Sequence, residues 1–146
     1  MAKTTAPNTV VIVDDEPHNM LWLVDYFSSK GMEVIVAHDA NEALEIIEKE
    51  VYRALIIDLN IPILEPIDLA AEEKGTEYRK YPGLFVGYMA RNRGYRDRQV
   101  ILYSVHKDAA VSSEASKIGC SYIIKGRPQE IKREIEAVIS FDPTEK

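Results

Sequence analysis

The sequence predicts a doubly wound α/β fold built on a parallel sheet. Short, unbroken apolar runs rich in β-branched residues alternate along the chain with segments of helical period. Strands covered on both faces read as continuous apolar runs, and strands alternating with helices imply right-handed crossovers that bury both sides of one sheet. At 146 residues, 46% of them apolar, the chain has material for one such core and little left for a second domain.

Five runs are predicted strands: Thr9 to Val13, Glu33 to Ala37, Ala54 to Ile57, Gln99 to Tyr103 and Tyr122 to Ile124. The first helix spans Pro17 to Lys30, with Pro17 suited to a first turn, Trp22, Leu23, Tyr26 and Phe27 on one stripe, and Gly31 as the stop. A second helix, Asn41 to Glu50, turns Ala43, Leu44, Ile46 and Ile47 toward the sheet. Between the third and fourth strands two helix starts compete, Pro66 to Lys74 ending at Gly75 and Gly83 to Arg93 ending at Gly94. Asp108 to Lys117 is weakly amphipathic with Val111 and Ala115 inward, whereas Pro128 to Ile139 aligns Ile131, Ile135, Val138 and Ile139 on one face. Residues 1–8 and 142–146 read as loose ends around a domain of residues 9–141.

Composition narrows the function classes. The 24 acidic against 18 basic residues give a net charge of −6, which opposes nonspecific binding to nucleic acid or anionic lipid. One cysteine, Cys120, excludes an intramolecular disulfide framework or a Cys-rich zinc site and is expected to act as a small buried hydrophobe. No apolar stretch approaches the roughly 20 residues of a membrane span, and the first eight residues lack a signal-peptide core, so a cytoplasmic protein is expected.

The residues that carry chemistry sit at strand ends. Asp14 and Asp15 follow the first strand and Asp58 the third, and the carboxyl edge of such a sheet is where ligands bind. Crowded carboxylates repel one another unless a cation neutralises them, and an all-oxygen donor set suits Mg²⁺. Ser104 and Lys125, closing the fourth and fifth strands, bring a hydroxyl and an ammonium to the same edge. Taken singly each residue reads as a turn or surface group. Together they supply a carboxylate nucleophile, a metal site and two groups able to hold a phosphoryl group.

With VIVDDEP at residues 11–17, LIIDLNIP at 55–62, VILYS at 100–104 and YIIK at 122–125, the chain resembles a chemotaxis-regulator-like receiver domain of the bacterial two-component response regulators. The resemblance implies the flavodoxin-like strand order 2-1-3-4-5 and a phosphoryl group accepted by Asp58 from a histidine kinase or histidine phosphotransfer protein. It implies that Asp14, Asp15, Asp58 and the Asn60 backbone carbonyl hold Mg²⁺, that Ser104 and Lys125 stabilise the phosphoryl group, and that Tyr122 is the aromatic that swings inward on activation. A downstream protein partner follows, with homodimerisation left open. The chain would then be no enzyme beyond self-phosphorylation from small donors and self-dephosphorylation.

Three departures stand against that pattern. Gly126 replaces a proline that the family carries in a cis linkage, so the loop aiming Lys125 is expected to differ. Val105 stands where a small residue is common and is expected to narrow access to the phosphorylation site. An extra segment of about 17 residues, within residues 63–82, separates strand 3 from strand 4, more than one crossover needs. It is either a tolerated surface insertion or a lid or partner-binding element, the latter supported by Tyr78, Tyr81, Phe85 and Tyr88. Arg91, Arg93, Arg96 and Arg98 with Tyr95 read as a solvated basic face, and Leu21 as an isolated exposed apolar spot. Two rival readings remain: a receiver-like binding module independent of phosphorylation, and an Mg²⁺-dependent phosphatase with an aspartyl-phosphate intermediate, whose DxD spacing is missing because position 60 is Asn.

Overall fold

The computed structural model describes residues 4–96, 99–105, 108–125 and 128–140. Five parallel strands form one sheet in the order β2-β1-β3-β4-β5. They are β1 (Ala6–Val13), β2 (Glu33–Ala37), β3 (Tyr52–Asp58), β4 (Val100–Ser104) and β5 (Ser121–Ile124). The helices are α1 (Leu21–Ser29), α2 (Ala40–Lys49), α3 (Ile67–Lys74), α4 (Thr76–Lys80), α5 (Pro82–Arg93), α6 (Ala109–Ile118) and α7 (Pro128–Ser140). The expected parallel sheet and its 2-1-3-4-5 order are both present.

Successive strand residues point to opposite faces, so each apolar run feeds two cores. Val11, Val13, Leu55, Ile57, Val100 and Leu102 pack with α2, α5 and α6, while Val10, Ile12, Ala54, Ile56, Ile101 and Tyr103 pack with α1 and α7. Burying each such large side chain contributes about 1.5–3 kcal/mol, and this explains why no polar residue interrupts the runs.

Several boundaries and faces differ from the sequence-based expectation. The first helix opens as a 3₁₀ turn over Pro17–Met20 before α1 begins. Leu23 and Phe27, four apart, face the sheet, whereas Trp22 is 37% exposed beside the exposed Leu21. One residue corresponds to about 100° of helix, so neighbours of an inward residue turn away from the sheet. The first strand starts at Ala6, where Ala6 pairs with Tyr52, and the Thr5 N–H donates to the Val51 carbonyl at 2.8 Å. Gln99 precedes β4, and its buried amide donates to the Thr4 hydroxyl at 3.0 Å. Gly126, Arg98 and residues 141–146 lie outside the described residues.

The extra segment is integrated with the core. α3 ends at Gly75, whose φ of 153° turns the chain directly into the short helix α4, which the periodicity missed. Tyr78 on α4 is 3% exposed and packs edge-on against Tyr88 of α5 at 5.8 Å. The Lys74 ammonium lies 4.3 Å from the Tyr88 ring centroid. α5 is thus enclosed by the sheet, α2, α4 and α6, so that residues 82–87 are all buried. A helix enclosed on all sides is apolar all round, which accounts for GLFVGYMA.

The basic patch is likewise structural where it is described. The Arg91 guanidinium donates to the carbonyls of Ile118 (2.6 Å), Gly119 (3.0 Å) and Tyr95 (3.0 Å), and that of Arg93 to the Glu48 carbonyl at 3.2 Å. Tyr95 is buried; its hydroxyl accepts the Tyr52 N–H at 2.9 Å and donates to the Glu50 carbonyl at 3.1 Å. These groups satisfy backbone atoms at the amino edge of the sheet, in contrast to the solvated face that the sequence predicts.

Candidate functional site

Parallel strands end on one edge, so Asp14 after β1, Asp58 at the end of β3, Ser104 at the end of β4 and Lys125 after β5 converge. Carboxylate oxygens of Asp14, Asp15 and Asp58 all lie within 4.8 Å of one another. The Lys125 ammonium stands 3.1 Å from Asp58 Oδ2 and 3.3 Å from Asp14 Oδ2. The remaining oxygens of both carboxylates accept local backbone N–H groups, Glu16 to Asp14 Oδ1 at 2.8 Å and Asn60 to Asp58 Oδ1 at 3.1 Å. Both carboxylates are thereby fixed in direction before any ligand arrives.

Among the described residues three carboxylates face one ammonium, and burial sharpens the imbalance. Asp14 is 2% exposed, and burial is the main reason that the Asp58 carboxyl is held above its ordinary pKa, with the Asp14 charge adding to it. The Asn60 N–H and Lys125 pull the other way without offsetting burial, because one ammonium is shared between two carboxylates. Burial alone would lower the Lys125 pKa, yet the charges of Asp58 and Asp14 outweigh it and raise it. A hard divalent cation fits this donor set: the oxygens are clustered, anionic and in excess of positive charge.

The other predicted residues sit nearby with distinct surroundings. Ser104 is buried, and its carbonyl accepts the Lys125 backbone N–H, tying the ends of β4 and β5 together. Tyr122, opposite Leu102 in the β4–β5 register, is half-buried, and its hydroxyl accepts the Asp108 N–H at 3.1 Å. Val105 is exposed.

Two residues outside the predicted set also shape the site. A Cβ at Gly83 would overlap the Asp58 carbonyl oxygen and stand 2.7 Å from Leu59 Cα, and the Gly83 N–H donates to the Leu59 carbonyl at 3.1 Å. The first turn of α5 therefore lies directly on the backbone that carries Asp58. Asp108 caps α6, its Oδ1 accepting from Ala110 at 2.9 Å and Val111 at 3.2 Å, while Tyr81 donates to its Oδ2. An Asp ahead of a helical run is a readable N-cap signal, whereas the glycine looked like an ordinary helix start.

The family description "Response regulator receiver domain" matches residues 10–136, and the chain belongs to that family. Receiver domains are signalling modules of two-component systems, in line with the resemblance carried by the four motifs. A CheY-like receiver domain protein from Methanospirillum hungatei superposes with a TM-score of 0.70 at 20% identity, covering 91% of this chain and 94% of its own. The Vibrio cholerae chemotaxis protein CheY4 gives 0.66 at 18% identity, covering 89% and 97%. TrrA from Thermotoga maritima, solved in complex with Mg²⁺ and BeF, gives 0.65 at 20% identity, covering 90% and 98%. No curated protein matches the chain. Among the described residues no helix is long and apolar enough to cross a membrane.

Proposed function

We propose that this chain is a phosphorylation-controlled receiver in which Asp58 accepts a phosphoryl group from a histidine kinase or phosphotransfer protein. The observation that carries this is the Asp58 carboxylate held 3.1 Å from the Lys125 ammonium inside a cluster of three carboxylates. Asp14, Asp15, Asp58 and the Asn60 carbonyl would hold Mg²⁺. Bound there, the cation would neutralise the cluster and the charge on the phosphoryl oxygens in transit.

The chain's own residues do the rest. An Asp58 oxygen attacks phosphorus as the bond to the donor breaks, and the product carries more negative charge and three strong acceptor oxygens. Lys125 is already within reach of that position, and Ser104 offers a hydroxyl from the neighbouring strand end. Drawing Ser104 toward the phosphoryl group shifts the β4–α6 loop, where the Tyr122 hydroxyl holds the Asp108 N–H, and so changes the surface offered to a downstream protein. Residues 9–141 form this receiver, with residues 63–82 as its extra segment.

Incubation with Mg²⁺ and acetyl phosphate or beryllofluoride is expected to label or saturate wild type and to leave Asp58→Asn unmodified. Mg²⁺ should also raise the melting temperature of wild type and not that of Asp14→Asn, since a ligand bound only by the folded state stabilises it. Wild type that neither labels nor responds to Mg²⁺ would sink this reading and favour a binding module independent of phosphorylation.

A further inference from the structure

The extra segment ends on a pair of cations beside the phosphoryl site. Arg79 and Lys80 close α4, both are exposed, and among the described residues neither makes an ion pair. Basic residues in a last helical turn suit the helix dipole and are usually solvated charge. Here they also line an open cleft of about 380 Å³ together with Asp15, Asn60, Pro62 and Pro82. Asp15 belongs to the carboxylate cluster, and Asn60 donates its N–H to Asp58. The cleft thus runs from the phosphoryl site to two cations that, among the described residues, close no ion pair, although the Lys80 charge also acts on the Asp108 carboxylate.

The chemistry of transfer says what these cations can recognise. When Asp58 takes the phosphoryl group from an acyl phosphate, its oxygen bonds to phosphorus and the bond from phosphorus to the acyl oxygen breaks. The electron pair leaves on the acyl carboxylate, which departs with one negative charge and needs no proton. Dianionic donor plus carboxylate becomes dianionic aspartyl phosphate plus carboxylate, so charge balances. When the donor is phosphoramidate or a phosphohistidine, the nitrogen leaving group already carries a proton taken from solvent before transfer, and the electron pair of the breaking phosphorus–nitrogen bond leaves it neutral, as ammonia or imidazole. Cations along the exit path assist only the first class.

We infer that Arg79 and Lys80 form a subsite for the anionic leaving group of acyl phosphate donors, and that the extra segment biases this receiver toward such donors. The inference rests on the reading of Asp58 as phosphoryl acceptor. The test compares initial labelling rates of the full chain at saturating Mg²⁺ with acetyl phosphate and with phosphoramidate, for wild type and the double variant Arg79→Gln, Lys80→Gln. Both positions are exposed, so folding should survive; the single variant Arg79→Gln serves if it does not. Labelling by acetyl phosphate should slow about tenfold, the size expected of two unit charges acting across several ångströms of wet cleft, with phosphoramidate changing less than about twofold. Replacing both residues by Glu should slow acetyl phosphate further. Equal slowing of both donors, or no slowing of either, would overturn the subsite while leaving Asp58 as acceptor. Wild type unlabelled by both donors would instead overturn the acceptor reading on which the subsite depends.

Discussion

The Tyr81 hydroxyl lies 3.3 Å from Asp108 Oδ2, which joins the segment ahead of α5 to the N-cap of α6. The same Asp108 donates its N–H to Tyr122 at 3.1 Å. Two tyrosines from separate elements therefore hold one cap, and the extra segment reaches the residue proposed to respond to phosphorylation. The N–H of Val111 chiefly, then that of Ala110 and the Tyr81 hydroxyl, hold the Asp108 carboxyl below its ordinary pKa. A depressed carboxylate pKa stabilises the fold above the ordinary carboxylate range, and that stabilisation is lost as pH falls through the depressed value. Tyr81→Phe should speed amide exchange at Ala110 and Val111 on the order of threefold near neutral pH and flatten part of the acid-side stability loss. Unchanged exchange would mean that Tyr81 does not brace the cap.

Gly83 and Gly87 make a paired prediction on one helix. Gly83→Ala forces a Cβ into the Asp58 and Leu59 backbone, which cannot move aside as a flexible side chain could. It should cost about 2–4 kcal/mol by denaturant titration and reduce Asp58 phosphorylation in the molecules that fold. At Gly87 the new Cβ would meet Leu102, Cys120 and Val100 at 3.4–3.6 Å, ordinary contact distances. Gly87→Ala should therefore be neutral or stabilising by up to about 1 kcal/mol through helix propensity. Equal effects at the two positions would contradict the close approach at Gly83.

Arg91 braces three carbonyls from two parts of the chain, at Tyr95 and at the end of α6. Arg91→Ala should lower stability by about 2–3 kcal/mol, the usual size for hydrogen bonds to a charged donor. Arg91→Lys should recover little of it, because a single ammonium cannot reproduce a planar fork. Full recovery by Lys in thermal unfolding would show that charge, and not hydrogen-bond geometry, matters at this position.

The half-buried Cys120 packs against the core beside α5, and burial pushes its thiol up to about 12. It should alkylate slowly at pH 8 in the folded protein and rapidly in urea. Because the folded pKa is raised above the unfolded value of about 8.5, its contribution to stability is full below that pH and is lost as pH climbs toward 12. Tyr78, also pushed to about 12 by burial, loses stability on the same side, so the comparison is between wild type and Cys120→Ala. The alanine variant should show a shallower alkaline decline in its denaturation midpoint.

The sheet, its helices other than α4, and the convergence of Asp14, Asp15, Asp58, Ser104 and Lys125 were legible in the sequence. Each depends on local signals: an unbroken apolar run, a helical period, or a polar residue directly after a strand. A strand buried on both faces must be apolar throughout, and parallel pairing must bring its end to the ligand-binding edge, so these features follow from short windows of residues. The strand order came with the family resemblance. What only the tertiary structure decided are relations between distant segments. Trp22 turns outward, away from the stripe on which periodicity places it with Leu23 and Phe27. Arg91 and Tyr95, which read as a solvated face, satisfy backbone carbonyls elsewhere in the chain. The aromatic residues Tyr78 and Tyr88 close α3 and α4 over α5, and Arg79 and Lys80 are left facing the cleft beside Asp15. Periodicity records which face of an element is apolar, but which backbone approaches Gly83 and which carbonyl receives a guanidinium are set by packing, where contacts form between residues tens of positions apart.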